Sequence, residues 1–248
     1  MKTVMKRIYA GATCDVVIYT APELREGGFG KPRPRFKTDA ERAEHRRQIA
    51  RRHCARLINE NITSSGLYCT LTFDREHEIH TVEEARRERT NFRRRLQRKY
   101  PDAVIFLFFG RGGSNTQRIH FHMICEGIPA EHIRQCWTGG AVDRIEFIRE
   151  SCRDAKGKDI GADYTGLANY CFDHWTPEQG EGHYYSRTNN VRQPEEEEPE
   201  ECEDDYSTGL VPEGPEGYDL IEARRTPYGM YWFHYVRRKR QDQYCLLL

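Results

Sequence analysis

Residues 118–125 read RIHFHMIC, and the alternation in this stretch decides the fold. On an extended strand, successive side chains point to opposite faces. His120 and His122 therefore share one face, while Ile119, Phe121 and Met123 share the other. The two imidazoles stand roughly 7 Å apart along such a strand, twice the rise per residue. That spacing suits two nitrogens converging on one metal ion, with the apolar face anchored in a core. The same pattern also occurs in a half-buried strand with two ordinary histidines, so the flanking sequence must decide.

Working outward, residues 103–109 (AVIFLFF) form an apolar run of the length of a fully buried strand. The segment GRGGSN follows, so this strand and RIHFHMIC read as a hairpin, with the histidine strand central in its sheet. Residues 67–73 (LYCTLTF) predict another core strand, with Tyr68, Thr70 and Thr72 on one face and Cys69, Leu71 and Phe73 on the other. Between these strands, Thr81 opens a helix. Glu83 and Glu84 in its first turn oppose the positive helix end, Phe92 and Leu96 face inward, arginines fan outward, and Pro101 ends it.

An earlier helix over 38–59, capped by Thr38 or Asp39, carries Ala50, Cys54, Leu57 and Ile58 at near-helical spacing. Its other face bears Arg46, Arg47, Arg51, Arg52 and Arg56, either solvated or facing phosphate. Residues 128–137 predict a short helix, 142–148 a strand, and 163–173 a helix with Leu167, Tyr170 and Cys171 on one side. At the N-terminus, 6–20 predict one or two strands turning at 10–12, followed by a Gly/Pro-rich loop. At the other end, 218–236 predict two short strands before a basic cluster at 237–240.

The chain has 248 residues, with 39 Lys and Arg balanced by 39 Asp and Glu. The zero net charge conceals segregation: 46–56 and 86–99 are heavily basic, and 195–205 is almost entirely acidic. Basic patches of this kind point to a polyanionic partner. The Pro/Glu-rich stretch 194–217 is expected to be a disordered acidic spacer, because it has little apolar surface to bury. Nine cysteines with no CxxC pair suit reduced thiols in a cytoplasmic protein. No run has the length of a membrane span, and no P-loop signature is present.

LYCTLTF, RIHFHMIC and a helix bearing GLANYCFDHW, in this order, resemble the HUH endonucleases, most closely the rolling-circle replication-associated proteins of small phages and plasmids. NFRRRLQRKY is similar to that family's arginine-rich helix, and YYSRTNN to its segment after the tyrosine helix. The resemblance implies an α+β fold, a central antiparallel sheet with helices packed mainly on one face. It also implies a nuclease domain over 1–193, ahead of the spacer at 194–217 and C-terminal strands with a basic tail over 218–248.

The activity implied is nicking of single-stranded or origin-hairpin DNA by a tyrosine. It leaves a 5′-phosphotyrosine and a 3′-hydroxyl that host polymerase, helped by a host helicase, extends in the bacterial cytoplasm. His120 and His122 would hold Mg or Mn. Tyr170 is the expected nucleophile, with Tyr164 the alternative. A phenol, ordinarily titrating near 10, needs such activation. Arg93, Arg94, Arg95, Arg118 and Arg187 are the expected DNA contacts.

Two positions depart from the family pattern. Asp173 stands where a lysine usually follows the nucleophile, and Gly110 and Arg111 stand where a metal-binding carboxylate is usual. Asp74, Glu76 or His77 are the candidates to replace that carboxylate. The departures leave open a DNA-binding protein on the same fold that does not cut. A transposase or relaxase is the nearest variant, and an unrelated HxH metallohydrolase fits the arginine helices poorly.

Overall fold

The computed structural model describes residues 1–24, 27–31, 36–111, 118–149, 151–153, 157, 159–174, 184–226 and 229–239. In chain order these form β1 (Lys2–Ala10), β2 (Thr13–Ala21), α1 (Asp39–Asn61), β3 (Leu67–Thr72), α2 (Val82–Lys99), β4 (Val104–Arg111), β5 (Ile119–Glu126), α3 (Ala130–Cys136), β6 (Val142–Phe147), β7 (Cys152–Arg153), β8 (Asp159–Gly161), α4 (Thr165–Asp173), β9 (Tyr185–Arg187), β10 (Glu195–Glu196), β11 (Glu200–Glu201), β12 (Tyr218–Arg225) and β13 (Tyr231–Arg237). The fold is α+β, with antiparallel sheets and, among the described residues, four α-helices. None of these helices is long and apolar enough to cross a membrane.

Two compact units divide the chain. One comprises Met1–His45, Ser151–Asp163 and Pro194–Leu248, the other Arg46–Glu150 and Tyr164–Gln193. This division has a boundary at 193/194, as expected, but none at 217/218, and it removes 1–45 and 151–163 from the expected 1–193 domain. The N-terminal hairpin belongs with the C-terminal strands, because β13 lies beside β2 through six paired positions. Strand pairing between distant segments leaves no local mark in sequence.

The second unit is built on a five-stranded sheet in the order β6-β3-β5-β4-β9, with the histidine strand β5 in the middle. Alternation partitions its side chains as expected. Cys69 and Leu71, Leu107 and Phe109, and Phe121 and Met123 form one buried layer against Phe92 and Leu96 of α2 and Ile133 of α3. Helix α2 starts where a capping box closes: the Thr81 hydroxyl accepts from the Glu84 amide, and the Glu84 carboxylate accepts from the Thr81 amide.

The opposite face of the sheet is covered as well. Tyr170 of α4 meets Tyr68 and His122, Phe172 of α4 packs on Tyr184 and Tyr185, and Cys54 of α1 reaches Tyr185. The expectation of helices mainly on one face is thus corrected: α2 and α3 cover one face, α1 and α4 the other. A central strand with Phe106 and Phe108 on its histidine-side face leaves apolar area there that also has to be covered.

In the first unit the sheet runs β10-β1-β2-β13-β12, with β11 also on β1. The acidic stretch is therefore not a disordered spacer. Glu196 pairs with Lys6, Glu200 with Arg7 and Glu201 with Lys2 along the edge of β1. Further on, Tyr206 is buried against Phe233. An edge strand gains ladder hydrogen bonds without burying apolar side chains, and cations on the neighbouring strand offset the glutamate repulsion. Composition alone misses both effects.

Candidate functional site

The site lies on the α4 side of the second unit's sheet. His120 and His122 project from adjacent same-face positions of β5, and their Nε2 atoms stand 3.1 Å apart with rings nearly perpendicular. Ligand nitrogens bind divalent ions at about 2.1 Å, and two such bonds spanning this separation open an angle of about 95°. That is close to the right angle between neighbouring ligands of an octahedral ion, so the pair fits a divalent metal. Among the described residues no group of three or more His, Cys, Asp or Glu side chains is arranged to hold a metal ion. The protein offers two nitrogens, and solvent or substrate oxygens would supply the rest.

Electrostatics keeps both rings neutral. His122 is only 3% exposed, and burial, then the neighbouring His120 and His174, push its pKa down to about 3. Burial also lowers His120, partly opposed by its hydrogen bond to the Arg118 carbonyl and by the charge of Asp143. Neutral imidazoles retain a nitrogen lone pair, which a ligand needs.

Each ring is steered by a neighbour. The Tyr68 hydroxyl lies 2.8 Å from His122 Nδ1 and accepts from the Thr70 hydroxyl at 3.3 Å. A hydroxyl both donates and accepts, so Tyr68 matches either tautomer of His122. Burial raises the Tyr68 pKa and keeps it a neutral phenol. His120 Nδ1 points at the Arg118 carbonyl at 3.4 Å, and its ring lies over Gly110, its cross-strand partner on β4. A Cβ at Gly110 would fall 2.7 Å from His120 Cε1 and 2.9 Å from Cδ2, with Nε2 closer still. The expected carboxylate position is therefore filled by the imidazole itself.

Helix α4 brings Tyr170 beside the pair. Its ring is 5.6 Å from that of His122, the residue is 48% exposed, and its hydroxyl lies within reach of that of Tyr68. The expectation that Leu167, Tyr170 and Cys171 share one side is corrected in part. Ala168, Cys171 and Phe172 are the buried residues, and Tyr170 points away from that core. Tyr164, the alternative nucleophile, is 4% exposed at the N-cap of α4, where its amide donates to Asn59 Oδ1.

His174 was missed by the sequence reading. It ends α4 four residues after Tyr170, donates Nδ1–H to the Tyr170 carbonyl at 2.6 Å, and sets its ring tilted 4.1 Å from the Tyr170 ring and edge-on 4.7 Å from that of His122. The i,i+4 spacing from Tyr170 was the available signal. Tyr68 was also legible, on the same strand face as Thr70, whose cross-strand partner is His122.

The other expected residues are dispersed. Asp74 binds the ring and backbone of His77 and the amide of Glu76, closing the turn after β3. Asp173 is held by Arg47 at 2.8 Å and Arg51 at 2.7 Å, so α1 provides the cations beside α4. Among the arginines, Arg95 is engaged by Glu88 and the Cys136 carbonyl, which makes it part of the α2–α3 packing. Arg93 donates to the Arg187 carbonyl, Arg94 is exposed, and half-exposed Arg118 lies 3.4 Å from Glu78. The GRGGSN segment beyond Arg111 lies outside the described residues. No family model, curated protein or solved structure matches the chain.

Proposed function

We propose that the chain is a metal-assisted single-stranded DNA endonuclease of the rolling-circle type its motifs resemble, with Tyr170 as nucleophile. The observation that carries this reading is the convergence of the His120 and His122 Nε2 atoms beside a half-exposed tyrosine from a separate helix.

Tyr170 attacks the phosphorus of a phosphodiester, and the bond to the 3′-oxygen breaks. The products are a 5′-phosphotyrosine and, once the departing oxygen takes a proton from water, a 3′-hydroxyl, from which host polymerase and helicase would extend and unwind. His120 and His122 would hold a divalent ion such as Mg or Mn, which would supply charge withdrawal from the phosphate. The ring of His174, 4.1 Å from that of Tyr170, is the nearest imidazole to the phenol and would act as the base that takes its proton. Helix α4 supplies positioning: clamped by Asp173 to Arg47 and Arg51, it holds the phenol over the pair.

Labelled single-stranded oligonucleotides with Mn, resolved on a denaturing gel, test the reading. Wild type should form a covalent adduct, and Tyr170→Phe should lose it while keeping fold and DNA affinity. An adduct that persists in Tyr170→Phe and vanishes in Tyr164→Phe would move the nucleophile. DNA binding with no adduct under any divalent metal would favour the DNA-binding protein that does not cut, a reading to which the two-nitrogen metal pair lends weight.

A further inference from the structure

On the face of the sheet opposite the histidines, α2 presents a stripe of three arginines at helical spacing: Arg86, Arg89 and Arg93. Arg89 lies over the Phe109 ring, 4.3 Å from its centre. Arg93 donates one bond, from Nη1 to the Arg187 carbonyl at 2.8 Å. Four of their nitrogens are buried with no hydrogen-bond partner among the described residues: Arg86 Nη2, Arg89 Nε and Nη1, and Arg93 Nε. Glu88, the acid nearest in sequence, is engaged by Arg95.

This arrangement is costly as it stands. Buried N–H donors are nearly always satisfied, and unpaired buried cations are disfavoured. Burial, then the repulsion of Arg93 and Arg86, lowers the Arg89 pKa to about 10. An anion with several acceptor oxygens removes both penalties at once. Guanidinium groups present planar forks of donors that match phosphate oxygens. Phe109 fixes the central guanidinium by stacking, leaving its edge free to donate.

We propose that Arg86, Arg89 and Arg93 bind one phosphate group of a nucleic-acid backbone, on the sheet face opposite the histidine pair. Phe109 adjoins Gly110, the residue under His120, so the two sites stand back to back about the end of β4. In the nuclease reading, on which the choice of nucleic acid rests, a strand held at the histidine face continues around this end and is gripped on the other side. Arg94 and Arg95, at neighbouring positions of the helix, are not part of the grip.

The test uses the full chain with Arg89→Met, which keeps an unbranched stem on Phe109 and removes the donors. Melting is followed in phosphate-free buffer, with added inorganic phosphate, and with a thymidine oligonucleotide. Oligonucleotide affinity is measured over a salt series. Wild type should melt higher with phosphate or oligonucleotide. Arg89→Met should melt no lower than wild type without ligand, lose the phosphate response, bind oligonucleotide about tenfold more weakly, and show a salt slope shallower by about 0.7.

Stabilisation by oligonucleotide but not by inorganic phosphate identifies the backbone as the source of the anion; the reverse result identifies a free-anion site and overturns the nucleic-acid assignment. If Arg89→Met melts lower while affinity and slope are unchanged, the arginine is a packing residue and the proposal falls. Should Arg89→Met not fold, Arg86→Gln answers by the same measurements. A wild type that forms no covalent adduct, yet loses affinity on Arg89→Met, would sink the endonuclease reading and leave the phosphate site standing.

Discussion

Replacing Gly110 by alanine separates the stability of the sheet from the geometry of the histidine pair. Gly110 is buried on β4 directly across from His120. The added Cβ would lie 2.7 Å from Cε1 and 2.9 Å from Cδ2 of that ring. Ordinary carbon contacts lie near 3.5–4.0 Å, so the imidazole has to swing by about 1 Å. The backbone at Gly110 is outside the left-handed region, so alanine fits without strain there and reduces unfolded-state entropy, an effect worth about 0.4–1 kcal/mol in favour of the fold.

The displacement falls on the 3.1 Å separation of the two Nε2 atoms, the feature that suits one ion. Misplacement by about 1 Å costs on the order of a hundredfold where geometry controls reaction. Gly110→Ala should therefore melt at or slightly above the wild-type temperature, yet bind Mn at least tenfold more weakly by calorimetric titration and nick correspondingly more slowly. His120→Ala is the reference for complete loss. Equal Mn affinity in wild type and Gly110→Ala would refute the reasoning, because the ring would then not be confined by β4. A large loss of stability would refute it differently, by showing that the ring cannot move and the strand gives way instead.

Tyr68→Phe keeps the ring and removes the bond to His122 Nδ1; Mn affinity should fall about 10–100-fold, as for other groups that orient a metal-binding histidine, and an unchanged titration would exclude that role. In the first unit His234 is held between Asp15 at 2.7 Å and Asp163 at 3.1 Å. Burial pulls its pKa down, but the hydrogen bonds and charges of the two carboxylates prevail and raise it to about 10. Because the folded value lies above the ordinary 6.5, this stabilisation is complete below pH 6.5 and is lost as pH rises through about 10. Chemical denaturation should show wild type weakening over that window, while His234→Gln is already weakened at pH 6 and declines less; parallel pH profiles would contradict the assignment.

The sequence by itself determined the local elements around the site. Period-two alternation in LYCTLTF and RIHFHMIC named the two strands and the face each histidine occupies, because pleat geometry needs no tertiary information. Thr81 followed by Glu83 and Glu84 marked the start of α2, because end charges act within one turn. Tertiary structure alone decided what meets the histidines. Tyr68 reaches His122 across the strand pair, His174 arrives at the end of a helix 52 positions beyond His122, and the ring of His120 fills the space over Gly110. The grouping of β1 and β2 with β12 and β13, and the seating of the acidic stretch on Lys2, Lys6 and Arg7, were likewise settled only in three dimensions. Backbone pairing and ion pairing join residues nearly two hundred positions apart, and neither leaves a periodic trace in the residues that make it.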